Sequence, residues 1–146
     1  MKPIIFTCDF AMFAWKRART NGKHFFNDDR LTAFKNAVGF KARAAMNNQP
    51  PMTTPCRLEI RAAFRVPESW PKWKREAAKG KPYTCVSDFD NHIKAVSDAL
   101  NKIVYIDDRL VAHGAIERFY AIHDRDSFTV TVFPLTGVPA TKAEVI

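Results

Sequence analysis

Carboxylate side chains are concentrated in one short stretch of this chain. Five aspartates fall within 21 residues: Asp88, Asp90, Asp98, Asp107 and Asp108. Alternate side chains of an extended segment point to the same side, so the run Asp88-Phe89-Asp90 would aim both carboxylates one way. Lys94 follows Asp90 by one helical turn, which would place its ammonium group beside them. The stretch therefore predicts several acids and one cation close together.

This combination of side chains suits metal-assisted hydrolysis of a phosphodiester. Mg²⁺ prefers oxygen ligands and is usually held by one or two carboxylates together with waters and substrate phosphate. Neighbouring carboxylates repel one another and stay ionised more easily around a cation. Such a metal activates water and stabilises the charge that develops on phosphate, and a lysine can neutralise the phosphate as a point charge.

Each of these residues also has a purely structural interpretation. Asp88 and Asp90 stand where a helix begins, and acids there cap the helix and interact well with its dipole. The two acids together with Asn91 and Lys94 leave helix capping and a metal site equally weighted. Asp98 is placed to pair with Lys94, and His92 is expected to be a solvent-facing helical histidine rather than a ligand. Asp107 and Asp108 are ordinary turn residues unless the next strand folds back alongside the helix.

The elements that must position these residues follow from hydrophobic periodicity. Strands are expected at 4–13, 57–66, 111–122 and 127–135, and the clearest is 57–66, where apolar and charged residues alternate. Helices are expected from a cap at Asn27 or Asp28 to Met46, and over 91–103, with an Asn21-Gly22 turn before the first. The order β-α-β-loop-α-β-β predicts a single α/β (α+β) domain over 1–146, a small mixed β-sheet with two main helices. Residues 137–146 are expected to be a frayed tail.

The segment 67–86 differs from its surroundings because it mixes cations, aromatic rings and three prolines. We expect a mobile loop, with a helical turn near 74–78. Its cations could contact phosphates while Trp70, Trp73 and Tyr83 stack on bases. The equally weighted alternative is a surface loop whose tryptophans pack on the body of the protein.

Charge is distributed unevenly along the 146 residues. Residues 1–87 hold 17 Lys and Arg against 6 Asp and Glu, a net of +11, whereas residues 88–146 hold 6 against 9, a net of −3, which together give the chain its +8. A basic half joined to an acidic cluster suits a protein that binds a polyanionic nucleic acid and a divalent cation. Candidate DNA-binding residues are Lys16, Arg17, Arg19, Lys23, Lys72, Lys74, Arg75, Lys79 and Lys81.

The cysteines and the hydropathy exclude other classes. Cys8, Cys56 and Cys85 are odd in number and far apart, with no metal-site spacing, so free buried thiols are expected. No run of about 18 apolar residues is present, and the N-terminus lacks a signal-peptide pattern, so we expect a cytoplasmic protein.

The acidic stretch resembles the RusA family of Holliday junction resolvases. The matching residues are Asp88-x-Asp90-Asn91-x-x-Lys94-x-x-x-Asp98-x-Leu100, followed by the pair Asp107-Asp108. That family shows D-x-D-N-x-x-K-x-x-x-D-x-L and then a D-D pair before the last strands. The chain departs from the pattern at Ser87, where Pro is usual, and at Phe89, where Leu or Ile is common. Neither change removes a carboxylate.

The resemblance implies roles for particular residues. Asp88, Asp90 and Asp108 would be the catalytic carboxylates that hold Mg²⁺, with Mn²⁺ as a substitute, and Lys94 would be the catalytic lysine. Asn91, Asp98 and Asp107 would support them. It also implies a RusA-like fold, a homodimer acting on four-way DNA junctions by paired symmetric nicks, and a phage or prophage origin in a bacterial host. The alternatives are a non-catalytic nucleic-acid-binding module, or a metal nuclease acting on other branched DNA or on RNA.

Overall fold

A computed structural model describes the backbone of residues 2–13, 19–20, 25–26, 29–84, 89–139 and 141–144. Side chains are described for all of these except 19–20, 25–26 and 144. The strands in this part of the chain are β1 (Ile4–Cys8), the two-residue β2 (Arg19–Thr20) and β3 (Phe25–Phe26), β4 (Cys56–Phe64), β5 (Val111–Tyr120) and β6 (Ser127–Pro134). The helices are α1 (Asp29–Met46), α2 (Lys72–Ala78) and α3 (Phe89–Leu100), with short 3₁₀ turns at Asp108–Leu110 and Lys142–Glu144.

Four strands form one mixed sheet in the order β1-β6-β4-β5. The pairs β1–β6 and β6–β4 are antiparallel, whereas β4 and β5 run parallel. Parallel neighbours need a crossover between them, and the chain segment that contains α2 and α3 provides it. The short strands β2 and β3 pair with each other as a separate antiparallel ribbon, as the Asn21-Gly22 turn signal predicts. The predicted α+β class with a small mixed sheet is therefore confirmed.

The hydrophobic core lies between one face of the sheet and the helices α1 and α3. Strand β4 alternates as its sequence predicts: Leu58, Ile60 and Ala62 are buried, whereas Arg57, Glu59 and Arg61 lie on the other face. Both helices contribute buried residues to the same core, which places their outer faces in solvent. Helix α3 is therefore anchored along one side and presents its opposite side as a surface.

Several elements end earlier than their hydrophobic pattern predicts, because pairing and backbone conformation set the ends. Strand β1 stops at Cys8, which pairs with Phe128 near the first residue of β6, so residues beyond it have no strand opposite. Helix α3 stops at Leu100 rather than 103, since Lys102 adopts a left-handed conformation with φ of 69°. Strand β4 ends at Phe64, β5 at Tyr120 and β6 at Pro134, each one or two residues before its predicted end.

Three other sequence expectations can be compared with the described residues. Within residues 67–86, helix α2 occupies Lys72–Ala78, which confirms the expected helical turn and extends it by two residues. Cys8 and Cys56 are buried free thiols, as expected, and Cys85 lies outside the described residues. No helix in the described part of the chain is both long enough and apolar enough to cross a membrane.

Candidate active site

Helix α3 places polar side chains on its solvent-facing side because its opposite side is anchored in the core. Ala95, Val96, Ala99 and Leu100 are buried. The remaining face carries Asp90, Lys94 and Asp98, which follow one another at intervals of four residues and so lie in one row. Asp90 stands in the first turn of the helix, where the helix dipole also favours an acid.

This row forms one wall of a shallow cleft of about 440 Å³. The cleft is lined by Asp90, Ile93, Lys94, Ser97, Asp98, Asp108 and Val111. Asp108 therefore shares a cleft with Asp90. The strand that follows the helix folds back beside it, which is what the sequence required for Asp108 to approach the other acids. Asp88 lies outside the described residues, so its position relative to this cleft stays a prediction.

A set of hydrogen bonds holds the loop that brings Asp108 to the helix. The Met52 N–H donates to the carbonyl oxygen of Val104 at 2.7 Å, and the Ile106 N–H donates to the carbonyl oxygen of Met52 at 3.0 Å. The fully buried Tyr105 donates its hydroxyl to the carbonyl oxygen of Ser97 at 2.6 Å. Burial raises the pKa of Tyr105 well above its usual value, so this hydroxyl stays protonated and can only donate in this bond.

The adjacent acids Asp107 and Asp108 have different surroundings. The Asp107 carboxylate accepts a hydrogen bond from the backbone N–H of Arg109 at 2.9 Å and caps the 3₁₀ turn. That bond, more than the nearby cations, lowers the pKa of Asp107. Asp108 is exposed and faces the cleft instead. The turn chemistry read from sequence therefore applies to Asp107, whereas Asp108 lines the cleft.

Lys94 and Asp98 form an ion pair across one helical turn, with Lys94 Nζ 3.7 Å from Asp98 Oδ2. Their side chains are 50% and 21% exposed, so solvent weakens the attraction, and such a pair contributes at most about 1 kcal/mol to stability. The pairing expected from sequence is confirmed. It holds the lysine ammonium at the edge of the cleft.

The expectation that His92 faces solvent is wrong. The side chain is only 2% exposed, with its ring centre 5.5 Å from that of Phe64. Burial, reinforced by the nearby Arg118 charge, lowers its pKa to about 4, so it is neutral at pH 7. Its position four residues before the buried Val96 is the signal that places it on the inner face of the helix.

The carboxylates of the cleft are the residues that could hold a divalent cation. The described residues contain no group of three or more His, Cys, Asp or Glu side chains close enough to hold a metal ion. Asp90 and Asp108 share the cleft as a pair of exposed carboxylates. Proteins usually bind Mg²⁺ through one or two carboxylates, and water and substrate phosphate complete its coordination. The pair Asp90 and Asp108 therefore fits the ion.

The candidate DNA-binding residues fall in two regions. Lys16, Arg17 and Lys23 lie outside the described residues, and Arg19 is described only as a backbone member of β2. The second region is α2 with the residues that follow it, which carries the remaining candidates Lys72, Lys74, Arg75, Lys79 and Lys81. Of these, Lys79 pairs with Glu76 at 3.2 Å.

The two tryptophans of this region have different surroundings. Trp70 packs on the body of the protein, with its ring edge-on to Tyr120 at 5.5 Å. Trp73 is 73% exposed. One indole therefore anchors the segment and the other faces solvent.

An α+β domain with an acidic, lysine-bearing cleft and a separate cationic helix has the features of a hydrolase that cuts nucleic acid. Residues 13–131 match the model of a known family, described as endodeoxyribonuclease RusA. The chain belongs to this family of enzymes, which hydrolyse phosphodiester bonds within DNA. The match spans α3, the loop after it and Asp108, and thus the whole described cleft.

A curated relative covers much of the same region. The chain is 33% identical over 113 residues to the uncharacterized protein YqaN of Bacillus subtilis (strain 168). The similarity covers 72% of this chain and 77% of that protein.

Proposed function

We propose that this protein is a Mg²⁺-dependent endonuclease that resolves Holliday junctions by paired symmetric nicks. The observation that supports this best is that one cleft collects Asp90, Lys94 and Asp108 from two separate elements. Of the four residues that the family resemblance marks as catalytic, these are the three that the structure describes. Mn²⁺ is expected to substitute for Mg²⁺, because carboxylate and water ligands suit both ions.

The proposed division of labour assigns the metal to Asp88, Asp90 and Asp108. Bound Mg²⁺ would activate water and stabilise charge on the phosphodiester. Lys94 neutralises the phosphate from its place at the cleft edge, where Asp98 holds the ammonium group. Asp107 shapes the turn that presents Asp108. Asn91 is half-buried in the first turn of α3, next to Asp90, and is assigned a supporting role.

DNA is proposed to be held mainly by the cations outside the cleft. These cations are the candidates within residues 16–23 and those of α2 and the residues that follow it. Lys and Arg side chains bind DNA phosphates in this way whatever the base sequence. A homodimer would present two clefts to the two strands that must be cut, which symmetric resolution requires. We place this activity in the cytoplasm of a bacterial host, with a phage or prophage as the source of the gene.

The test is cleavage of a synthetic four-way junction with each arm labelled in turn. Wild-type protein with Mg²⁺ or Mn²⁺ should give paired nicks at symmetric positions and ligatable nicked duplexes, whereas Asp90→Asn should bind the junction without cutting it. Absence of cuts with either metal would refute the enzyme proposal and favour a binding module. Equal cutting of flaps, forks or plain duplex would refute junction selectivity alone.

A further inference from the structure

We propose that Trp73 is a stacking platform for a base at the branch point of branched DNA, where one face of the base has lost its stacking neighbour. This inference rests on the proposed function, in that it takes the substrate to be branched DNA, and it names a residue that recognises the branch. The starting point is the exposure of Trp73, whose side chain is 73% exposed on the outer surface of α2. An indole left in water forgoes the favourable burial of a large apolar surface, so a partner that covers it is stabilising.

The charge around Trp73 identifies the chemistry of that partner. Its neighbours Lys72 and Lys74 flank it directly, and Arg75 lies in the same short helix with Glu76 as the single acid of α2. Lysines are depleted from the cores of protein–protein interfaces. A cationic segment with an exposed aromatic ring is instead the arrangement by which proteins hold single-stranded nucleic acid, with phosphates on the cations and bases on the ring.

Packing holds this platform in place and orients it. Lys74 Nζ lies 4.0 Å from the centre of the Trp70 ring, a cation–π contact that ties α2 to Trp70. Trp70 in turn packs edge-on against Tyr120. The chain after α2 then pairs with β5: the Gly80 N–H donates to the Tyr120 carbonyl oxygen at 2.9 Å, and the Tyr83 N–H donates to that of Arg118 at 3.1 Å.

A series of ring contacts connects this segment to the helix that bears Asp90. The ring of Tyr120 lies edge-on to Tyr83 at 5.0 Å, Tyr83 stacks on Phe64 at 3.8 Å, and Phe64 contacts His92 in the first turns of α3 at 5.5 Å. Trp73 is therefore carried on a segment packed against the same core residues as the start of α3. A base on Trp73 would be held at a fixed offset from the cleft.

A paired duplex does not offer such a base, because its base faces are covered by their stacking neighbours. A branch point offers bases that have lost one neighbour, and these can stack on an indole. Trp73 would then contribute to affinity for branched DNA and leave affinity for duplex unchanged, whereas the surrounding lysines contribute to both. The ratio of the affinity for branched DNA to the affinity for duplex therefore measures the contribution of Trp73.

The experiment measures binding of the Asp90→Asn protein, without metal, to a four-way junction and to a duplex of the same length. Adding Trp73→Ala should weaken junction binding by about tenfold, the scale of one lost base–aromatic stack, and leave duplex binding unchanged. Trp73→Phe should restore most of the loss, because a phenyl ring still stacks. The matched control is Phe40→Ala, which removes an equally exposed ring, 71% exposed on α1, and should change neither affinity.

A second measurement, the fluorescence of a base analogue, tests directly whether a base stacks on Trp73. 2-Aminopurine at the branch point should be quenched on binding by the Asp90→Asn protein and not by its Trp73→Ala derivative. The inference is overturned if Trp73→Ala weakens junction and duplex binding equally, if it weakens neither, or if it changes the oligomeric state in sedimentation, which would make Trp73 a protein contact. These measurements use binding and not cleavage. A protein that cuts no junctions would therefore refute the proposed function, whereas the role of Trp73 is decided by the binding results alone.

Discussion

The hydroxyl of Tyr105 donates a 2.6 Å hydrogen bond to the carbonyl oxygen of Ser97, which joins the loop after α3 to the helix it has just left. This bond is made beneath the cleft, and the same loop leads directly to Asp107 and Asp108. Tyr105 is also fixed through its neighbours Val104 and Ile106, which are both hydrogen-bonded to Met52. The position of Asp108 thus depends on a buried polar contact and on a chain segment far away in sequence.

Tyr105→Phe should therefore lower both stability and activity. Loss of one hydrogen bond of this kind costs about 1 kcal/mol, measured as the free energy of unfolding in urea. Junction cleavage should also fall, because Asp108 loses part of its support. Tyr120→Phe is the matched control, since its hydroxyl makes a longer 3.3 Å contact with Thr84, outside the cleft. Unchanged stability of Tyr105→Phe would show that the bond contributes nothing.

Asp107 and Asp108 should respond to substitution in opposite ways. Asp107→Ala removes the cap of the 3₁₀ turn and should cost about 0.5–2 kcal/mol of stability, while Asp107→Asn keeps a capping oxygen and should cost little. Asp108→Asn should leave the unfolding free energy unchanged and reduce cleavage by roughly 100-fold or more, the scale of one lost electrostatic contact in a reaction site. Thermal unfolding and junction cleavage measured on the same preparations distinguish the two residues. A catalytic defect in Asp107→Asn as large as that in Asp108→Asn would contradict the assignment.

Lys94 should matter for cleavage and hardly for folding. Lys94→Met keeps the aliphatic stem and removes the charge, so cleavage should fall by about 100-fold or more while junction binding persists. Asp98→Asn should have a smaller effect, since it loosens the ammonium group without removing it. Both variants should unfold within about 1 kcal/mol of wild type, as expected of an exposed ion pair. A larger activity loss in Asp98→Asn than in Lys94→Met would make Asp98, rather than Lys94, the important member of the pair.

His92 should make the protein less stable in mild acid. Its pKa is lowered by burial to about 4 in the folded protein, against 6.5 in an unperturbed chain. Between those values the unfolded chain binds a proton that the folded protein excludes, so stability is complete above pH 6.5 and falls as the pH drops towards 4. The full loss is roughly 3 kcal/mol, at about 1.4 kcal/mol for each unit of pKa difference.

The check is urea unfolding of wild type and His92→Phe between pH 4 and pH 7. His92→Phe keeps a ring against Phe64 and should flatten the pH dependence in this window. His123→Gln is the matched control, because His123 is exposed, and it should retain the wild-type profile. A His92→Phe profile that parallels wild type would show that other groups cause the acid sensitivity.

Hydrophobic periodicity was sufficient to predict the main strands and helices of this fold. A half-buried element places its apolar residues at regular intervals, and these intervals are visible in the sequence. Strand β4 is the clearest example, with Leu58 and Ile60 inside and Arg57 and Arg61 outside. The same counting places His92 on the inner face of α3, so the mistaken expectation there came from treating the histidine by residue type rather than by its helical position.

The cleft was only half predictable for a different reason. The row Asp90, Lys94, Asp98 follows from helix geometry alone. The approach of Asp108 depends on Met52 bonding to residues 104 and 106, a contact between segments about fifty residues apart in sequence, which no local pattern records. The end of β1 was unpredictable for the same reason, since a distant partner strand sets it, whereas the left-handed backbone of Lys102 ends α3 locally and has no hydrophobic signature.

The described residues that line the cleft all lie between Asp90 and Val111, on helix α3, the turn that follows it and the first residue of β5. Closing a loop this short costs little chain entropy, so the helix and the turn can approach each other early in folding, before the distant contact with Met52 fixes Asp108 in place. The chemistry of the protein is in this sense modular. Segments elsewhere, such as the one that carries α2, can change in length and sequence without separating the acidic residues.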